Sequence, residues 1–367
     1  MIKRVPAFVV LFITLFALLL LSIVLPKQTY SENENKYLAT LPKISFKSFW
    51  DGSFETKYGT YLSDQLPGRS SWISAKSIAE SFLLKTENNG IAYGKDGYMF
   101  PKFQSYDEST YWDNLKAIRD FGQEANAPVY VLVTPSAYTV LTDYVPSGLP
   151  AVDERTAMNS GLPILSAECN VINVWDKLEE AQHDYVFYRT DHHWTTYGAY
   201  IAYRDYCEAA GLVPFNAFFQ SANTAEDFLG TSYSKCKKFG TLPDTISYFP
   251  FDATITFDGK AYPSIYDFTK LTTRDKYAMF LHGNHAESLV ESGEGRNKKG
   301  SLLIIKDSYA DSMIPFLTQN YASITCIDPR YYLGSIQELA KGDYDDILIL
   351  LGFENLSGEG NWVKLSF

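Results

Sequence analysis

The sequence has 367 residues, of which 46% are hydrophobic, and its formal net charge at pH 7 is −11. A chain of this length can bury a substantial core, as one large domain or two small ones. The acidic net charge argues against nucleic acid as a partner, because phosphate binding needs a basic surface.

The N-terminal segment predicts a membrane anchor. Lys3 and Arg4 precede an uncharged run over residues 5–26, and about 20 apolar residues suffice to span a bilayer. The preceding positive charges favour a cytoplasmic tail at residues 1–4 and an extracytoplasmic remainder. No clear small-residue cleavage site precedes Lys27, so we expect an uncleaved signal anchor, with a cleaved signal peptide as the alternative.

Residues 27–88 predict a juxtamembrane linker followed by a small helical collar. The run from Ser31 to Asn35 is polar, which is typical of a linker. The sequence from Asp64 to Arg69 contains Pro-Gly and predicts a turn between two helices. The collar therefore connects the anchor to the main domain.

Residues 89–367 predict an α/β domain. Gly94–Phe100 contains Asp-Gly between aromatic-rich runs, which indicates a hairpin. The predicted strands, all short apolar runs, are 129–133, 171–174, 302–305, 324–327 and 347–351. The predicted helices are 112–124, 196–210 and 309–319. This alternation is typical of a mostly parallel sheet with helices on both faces, and residues 212–285 are interpreted as a β-rich insertion over the active face.

Polar residues follow several predicted strands. Ser136, Ser308, Asp328-Pro329-Arg330-Tyr331 and Asn355 all lie just past strand ends. Ligands of open α/β sheets bind beyond the carboxyl ends of the strands. The sequence therefore predicts a functional site at this edge of the sheet.

Asp191-His192-His193-Trp194 contains two of the five histidines of the chain. In an extended segment Asp191 and His193 share one face and His192 points away. An acid beside an imidazole fixes its tautomer and stabilises the imidazolium, as in a Ser-His-Asp site. Trp194 is interpreted mainly as a packing residue that walls the histidine.

Ser308 is the best candidate for the missing nucleophile, because it stands at a predicted strand-to-helix turn. There the amides of Ser308 and Tyr309, aided by the helix dipole, can stabilise the oxyanion of acyl transfer. The alternative is a purely structural helix cap, for which Asp307 and Ser308 are both well suited.

Metal binding is the competing chemical hypothesis for this segment. Adjacent histidines on an extended strand point apart, and the sequence has no H-E-x-x-H or C-x-x-C motif. His282 and His285 could contribute only through the fold. No P-loop or dinucleotide fingerprint occurs either. We therefore expect neither a metal nor a cofactor.

The four cysteines would all lie outside the membrane, where disulfides can form. Three complete pairings are possible. Buried thiols are slightly favoured, because a domain of this size does not need disulfides for stability.

Asp191-His192-His193-Trp194, together with Lys306-Asp307-Ser308, resembles the DHHW-motif protein family. This family is similar to the SGNH-hydrolase-like polysaccharide O-acetyltransferases of the AlgX and AlgJ type. The resemblance extends over Gly94–Phe100 and most of the chain beyond the anchor. It implies an SGNH-like, flavodoxin-like α/β fold.

The resemblance also implies an activity: transfer of acetyl groups to a cell-surface polysaccharide through an acetyl-serine. Asp191 and His193 would be the acid–base pair and Ser308 the nucleophile. A membrane-bound O-acyltransferase would supply the acetyl group. Lys306 departs from the Gly often found before Asp-Ser, and the usual oxyanion blocks have no clear match. The candidates for oxyanion or substrate binding are Trp194, Tyr309, Arg330, Tyr331, Asn284 and Asn355.

Two alternatives to the transferase stay open from the sequence. An acetyl-esterase would use the same three residues with water as the acceptor, because both reactions share one acyl-enzyme. A non-catalytic glycan-binding or scaffold subunit of an envelope complex would need no nucleophile. A large distance between Ser308 and His193 would favour the scaffold.

Overall fold

The computed structural model describes residues 7–31, 36–293 and 298–366. These fall into two compact units, Met1–Lys85 with Ser234–Gly240 and Thr86–Tyr233 with Thr241–Phe367. The predicted cytoplasmic tail, residues 1–4, and most of the polar linker run, residues 32–35, lie outside the described residues.

Within these described ranges the chain forms α-helices, strands and short 3-10 turns. The helices are α1 (Ala7–Val24), α2 (Phe46–Trp50), α3 (Ser53–Asp64), α4 (Arg69–Phe82), α5 (Glu108–Glu124), α6 (Ala137–Val140), α7 (Glu154–Leu165), α8 (Trp175–Glu180), α9 (Thr196–Ala209), α10 (Thr231–Cys236), α11 (Ile314–Leu317), α12 (Ile336–Ala340) and α13 (Phe353–Gly358). The strands are β1 (Tyr30–Ser31), β2 (Lys36–Tyr37), β3 (Glu87–Asn88), β4 (Ile91–Tyr93), β5 (Met99–Pro101), β6 (Val129–Thr134), β7 (Asn170–Ile172), β8 (Asn223–Phe228), β9 (Asp244–Tyr248), β10 (Ala253–Phe257), β11 (Lys260–Tyr262), β12 (Glu287–Ser292), β13 (Lys299–Lys306), β14 (Tyr321–Ile327) and β15 (Asp346–Gly352).

The first unit contains α1 and the helices α2, α3 and α4. α1 has 18 residues, a mean hydropathy of 3.0 and no buried residue, so it has the length and composition to cross a membrane. α3 ends at Asp64 and α4 begins at Arg69. The predicted pair of helices on either side of this turn is confirmed.

The second unit is built on an eight-stranded sheet in the order β11-β10-β12-β14-β13-β15-β6-β7. The five strands from β14 to β7 are parallel, and β12, β10 and β11 continue the sheet in antiparallel pairs. Every residue of β6 and β15 is buried, so helices and loops cover both faces of the sheet there. The predicted α/β class with a mostly parallel sheet is confirmed.

The apolar runs of the sequence account for this sheet. Each of the five predicted strands is present, and α5 buries Leu115, Ile118 and Phe121 as its spacing predicted. Because the strands are parallel, the carboxyl ends of β6, β13, β14 and β15 meet at one edge, which we call the active edge.

The segment after β13 differs from the predicted helix 309–319. Ser308–Ser312 is a 3-10 turn, and a helix of only four residues, α11, follows it. Pro315 has no N–H to donate to a preceding carbonyl, which disfavours one continuous helix over 309–319, and it stands in the first turn of α11, where proline is tolerated. The predicted contribution of a helix dipole at Ser308 therefore loses its structural basis.

Residues 212–285 are not confined to the active face. β10 and β11 extend the main sheet through β12, whereas β8 and β9 form a separate two-stranded sheet. The predicted hairpin at 254–262 is present as β10 and β11. The interpretation that this whole segment covers the site is wrong for these two strands.

Candidate active site

Residues 189–194 form a bent loop, in contrast to the predicted extended segment. An isolated bridge between Phe187 and Trp194 closes the loop. Within it the Asp191 carboxylate accepts a hydrogen bond from the His193 amide at 3.0 Å, which turns the chain locally. The rings of His192 and His193 consequently lie 3.8 Å apart between centroids. The prediction that these two histidines point apart is wrong.

His193 lies between an acid and a serine. Its Nδ1 is 2.5 Å from Asp191 Oδ1, and its Nε2 is 2.8 Å from Ser308 Oγ. Because a carboxylate only accepts hydrogen bonds, we assign the ring proton to Nδ1, and Nε2 then accepts from the serine hydroxyl. His193 is buried, whereas Ser308 is partly exposed at the end of β13. This arrangement is suited to taking the Ser308 proton and returning it.

The Asp191 carboxylate is buried and fully hydrogen-bonded. Its Oδ2 accepts from the Thr231 amide at 2.7 Å and from the Thr231 hydroxyl at 2.9 Å. A Cβ at Gly230 would lie 2.3 Å from this carboxylate, so the close approach requires glycine. Burial raises the pKa of Asp191, but His192, His193 and the hydrogen bonds from His193 and Thr231 outweigh it. The pKa therefore lies well below its usual value, and the carboxyl group stays ionised.

Asp244, the first residue of β9, holds the start of the loop. Its carboxylate accepts hydrogen bonds from the backbone amides of Arg189 and Thr190 at 3.0 and 2.8 Å, and from the Thr190 hydroxyl at 2.6 Å. Asp244 is fully buried. The segment that was predicted to be an insertion therefore supplies the residue that orients the loop carrying Asp191.

Tyr277 contacts both His193 and Ser308, and no sequence pattern marked it. Its ring stacks on the His193 imidazole at 4.1 Å between centroids, with an interplanar angle of 10°. Its hydroxyl donates to the Ser308 carbonyl oxygen at 3.0 Å and lies 3.2 Å from Ser312 Oγ. Tyr277 is therefore a positioning residue for the pair.

Replacing Tyr277 with leucine removes the stack and the hydrogen bond. We expect the kcat of a reaction in which His193 takes the Ser308 proton to fall about 10²-fold, the cost typical of a slightly misplaced reacting group. Tyr277→Phe keeps the stack, and its loss should be smaller than about tenfold. KM should not change, because Tyr277 orients His193 and Ser308 and need not contact the substrate.

Steady-state kinetics and thermal melting of both variants test this role, with Tyr188→Phe as a control for loss of a buried tyrosine hydroxyl. A folded Tyr277→Leu variant with the kcat of the wild type would contradict it.

Two predicted oxyanion donors are already engaged by Asp307. The Tyr309 amide donates to Asp307 Oδ1 at 2.9 Å, and the Asn355 side-chain amide donates to Asp307 Oδ2 at 2.6 Å. The prediction for the Tyr309 amide is thus wrong in this arrangement, whereas the Asn355 amide has a second hydrogen. Asn284 is exposed, and its Oδ1 lies 3.2 Å from Lys306 Nζ.

The three remaining candidates for substrate binding, Trp194, Arg330 and Tyr331, have different surroundings. Trp194 is completely buried and donates to the Tyr309 carbonyl at 2.8 Å, so it packs beneath the site and cannot stack on a sugar. The Arg330 guanidinium is paired with Asp328 at 2.7 Å. Tyr331 is 53% exposed and is the one of these three side chains that is available to a ligand.

Lys306 occupies a buried position under the serine turn. It forms an ion pair with Asp311, and both side chains are almost completely buried. Burial lowers the pKa of Lys306, but the Asp311 carboxylate outweighs this effect and raises it. The lysine is therefore charged and ties the end of β13 to the 3-10 turn that carries Ser308. This ion pair accounts for a lysine at a position where Gly was expected.

Asp191, His192 and His193 present donor atoms within 4.8 Å of one another, a spacing that a metal ion can use. The two oxygens of Asp191 and the two nitrogens of His193 already have protein partners. His282 Nε2 lies 2.9 Å from the Ser264 carbonyl, and His285 stacks on Phe257. These contacts favour the acid–base role over metal binding.

Comparison with known proteins supports a relationship over most of the second unit. Residues 90–327 match the family described as DHHW protein. The chain is similar to a DHHW family protein from Eubacterium siraeum, with 24% identity over 77% of this chain and 97% of that one and a TM-score of 0.66. The chain is also similar to Bacillus cereus PatB1, with 18% identity over 72% of this chain and 97% of PatB1 and a TM-score of 0.59.

A weaker likeness is to the O-acetyltransferase domain of Pseudomonas putida AlgJ. The identity is 16% over 73% of this chain and 92% of that domain, and the TM-score is 0.46. A search of the curated proteins gave no significant match.

Proposed function

The chain belongs to the DHHW family, and from this membership and the geometry of its polar site we propose that it is an O-acetyltransferase acting on a cell-surface polysaccharide. The single observation that carries the proposal is the continuous hydrogen-bonded series from Asp191 through His193 to Ser308. Asp191 orients the histidine, His193 is the base and Ser308 is the nucleophile.

The reaction has two steps, acetylation of Ser308 and transfer of the acetyl group to a sugar. Ser308 Oγ attacks the acetyl carbonyl of the donor while its proton passes to His193 Nε2, and the donor's leaving group departs with that proton. A sugar hydroxyl then gives its proton to His193 and attacks acetyl-Ser308. The acetyl ester on the sugar forms, and the proton returns to Ser308. Asn355, with one amide hydrogen left, is a candidate donor to the oxyanion.

The proposed location is the outer side of a membrane. α1 has the composition of a membrane span, and Lys3 and Arg4 ahead of it favour a cytoplasmic N-terminus. A catalytic domain on the outer side needs acetyl groups carried across the bilayer. A membrane-bound O-acyltransferase is the partner that fits this need.

The esterase is the second candidate, and the partial exposure of Ser308 favours it, because water reaches the same acyl-enzyme. The scaffold alternative is weakened, because it was favoured by a large separation of Ser308 and His193, and the two side chains are hydrogen-bonded.

Full-length protein in detergent, supplied with a chromogenic acetyl ester and neutral oligosaccharides, separates these functions. Mass spectrometry of the sugars measures transfer, and released acetate measures hydrolysis. Acetylated sugar above the enzyme-free level supports the transferase. Acetate alone supports the esterase. If folded protein forms neither product, only the scaffold alternative remains.

A further inference from the structure

The first unit carries a cluster of exposed apolar side chains at α2. Ile44, Phe46, Phe49 and Trp50, here called the collar patch, lie within seven residues and are 70–85% exposed. The Phe46 and Trp50 rings stack at 6.2 Å between centroids, so they lie on one side of the helix. Exposed clusters of this kind mark interaction surfaces, because leaving them in water is unfavourable.

The collar is tied to the end of α1 by the side chain of Gln65. Gln65 Nε2 donates to the carbonyls of Gln28 and Ala39 at 2.8 and 3.1 Å, and Gln65 Oε1 accepts from the Gln28 amide at 3.1 Å. Gln28 is four residues past the end of α1 at Val24, so it lies within about 14 Å of the helix end. The α3–α4 turn therefore stays close to the end of the predicted span.

From these contacts we propose that the collar patch inserts into the outer leaflet of the bilayer that α1 crosses. The collar would then be an interfacial element that fixes the first unit against the membrane. This inference rests on the proposed membrane anchor and extends it, because a single span by itself does not require a second contact with lipid.

The composition of the patch matches a lipid surface. Tryptophan and phenylalanine are favoured at the boundary between headgroups and acyl chains. Lys43 precedes the patch and Lys47 lies between Phe46 and Phe49; both are exposed, and they can pair with anionic headgroups. Helices that lie in the membrane interface combine these two features.

The test uses the full-length protein in nanodiscs of phosphatidylcholine and phosphatidylglycerol, with a nitroxide attached at Phe49→Cys. Lys116→Cys, at an exposed position of α5, is the matched control. The four native cysteines are buried, so the label is directed to the introduced thiol. Frequent collisions of the nitroxide with oxygen indicate that the label lies in lipid. Frequent collisions with a soluble nickel chelate indicate that it lies in water. We expect oxygen to dominate at position 49 and nickel at position 116.

A second measurement needs no attached label and reads Trp50 of the patch directly. Brominated lipids should quench part of the tryptophan fluorescence of the wild type, and Trp50→Phe should remove that part. A chain that inserts but shows nickel-accessible label at 49 and no Trp50 quenching contradicts this inference alone. A chain that alkaline carbonate extracts from membranes contradicts the anchor, and the inference fails with it. Because the discs hold only lipid and the scaffold protein that encloses it, a natural partner protein cannot produce the expected result.

Discussion

Replacing Ser308 with alanine is expected to lower acetyl transfer about 10⁴-fold or more, because only binding and polar stabilisation remain when the nucleophile is removed. Ser308 Oγ is 2.8 Å from His193 Nε2, the atom assigned as the proton acceptor. The measurement is the rate with a chromogenic acetyl ester together with the intact mass of acid-quenched protein. The wild type should carry one acetyl group and the variant none.

Ser136→Ala is the matched control for this experiment. Ser136 also follows a parallel strand at the active edge, but its hydroxyl donates to Glu154 at 2.6 Å. We expect this variant to keep the acetyl adduct. An adduct that persists in Ser308→Ala, or that disappears equally in both folded variants, would show that Ser308 is not the nucleophile. Melting curves of both variants exclude unfolding as the cause.

The sheet and the pair at its active edge were predictable because they depend on short-range patterns. Apolar runs of four or five residues specified buried parallel strands, and polar residues just past their ends specified one edge. His193 and Ser308 are 115 residues apart in sequence. Each nevertheless stands in a short motif that indicates its role, because His193 follows an acid and Ser308 follows the end of a buried strand. The strand-end rule located Ser308 at this edge, whereas its pairing with His193 was predicted from the chemistry of the two segments and from the resemblance to the DHHW-motif family.

The residues that support the pair could not be predicted, because their roles exist only in the folded chain. Tyr277 lies in a 3-10 turn of ordinary composition and reaches His193 only through the packing of distant segments. Asp244 and Thr231 likewise act through hydrogen bonds over 39 residues or more. Isolated polar or aromatic residues of this kind have no periodicity that distinguishes them from core or surface residues.

Two local errors have a common cause, which is that a single side chain overrode the expected backbone geometry. Asp191 accepts from the His193 amide and bends a segment that alternation would have kept extended. Pro315 disfavours the continuous helix expected after Ser308 and stands instead in the first turn of the short α11. Both changes occur beside the site, where a backbone that departs from regular structure can direct several side chains to one point.

The second large effect is expected for Asp191→Asn, which should lower acyl transfer by about 10² to 10⁴-fold, as for wrong-tautomer variants of other triads. The carboxylate accepts from the His193 amide and Nδ1 on one oxygen and from Thr231 on the other. An asparagine must place its NH2 group at one of these positions. Beside His193 it donates to Nδ1, which moves the ring proton to Nε2 and prevents Nε2 from accepting the Ser308 proton. If the NH2 group instead lies beside Thr231, it faces the Thr231 amide, which is also a donor, and that hydrogen bond is lost.

Asp143→Asn is the matched control for this variant. Asp143 Oδ2 lies 3.4 Å from His183 Nε2, and both side chains are exposed. The Asp143→Asn substitution therefore removes the acid of an Asp–His pair that has no nucleophile, and we expect the rate of acyl transfer to stay unchanged. Equal losses in the two variants, or an unaltered rate in folded Asp191→Asn, would contradict the assigned role of Asp191.

The ionisation of Asp191 can be followed directly with ¹³C-labelled aspartate, with the carboxyl signal assigned by its loss in Asp191→Asn. The pKa of the folded state lies below its usual value, because the two adjacent histidines and the hydrogen bonds outweigh burial. A depressed pKa contributes stability above the unfolded value of about 3.9 and loses it as the pH falls through the folded value. We therefore expect no titration of this signal between about pH 5 and pH 8. A midpoint within that range would mean that His193 loses its ionised partner under assay conditions, and the proposed orientation of the base would then fail.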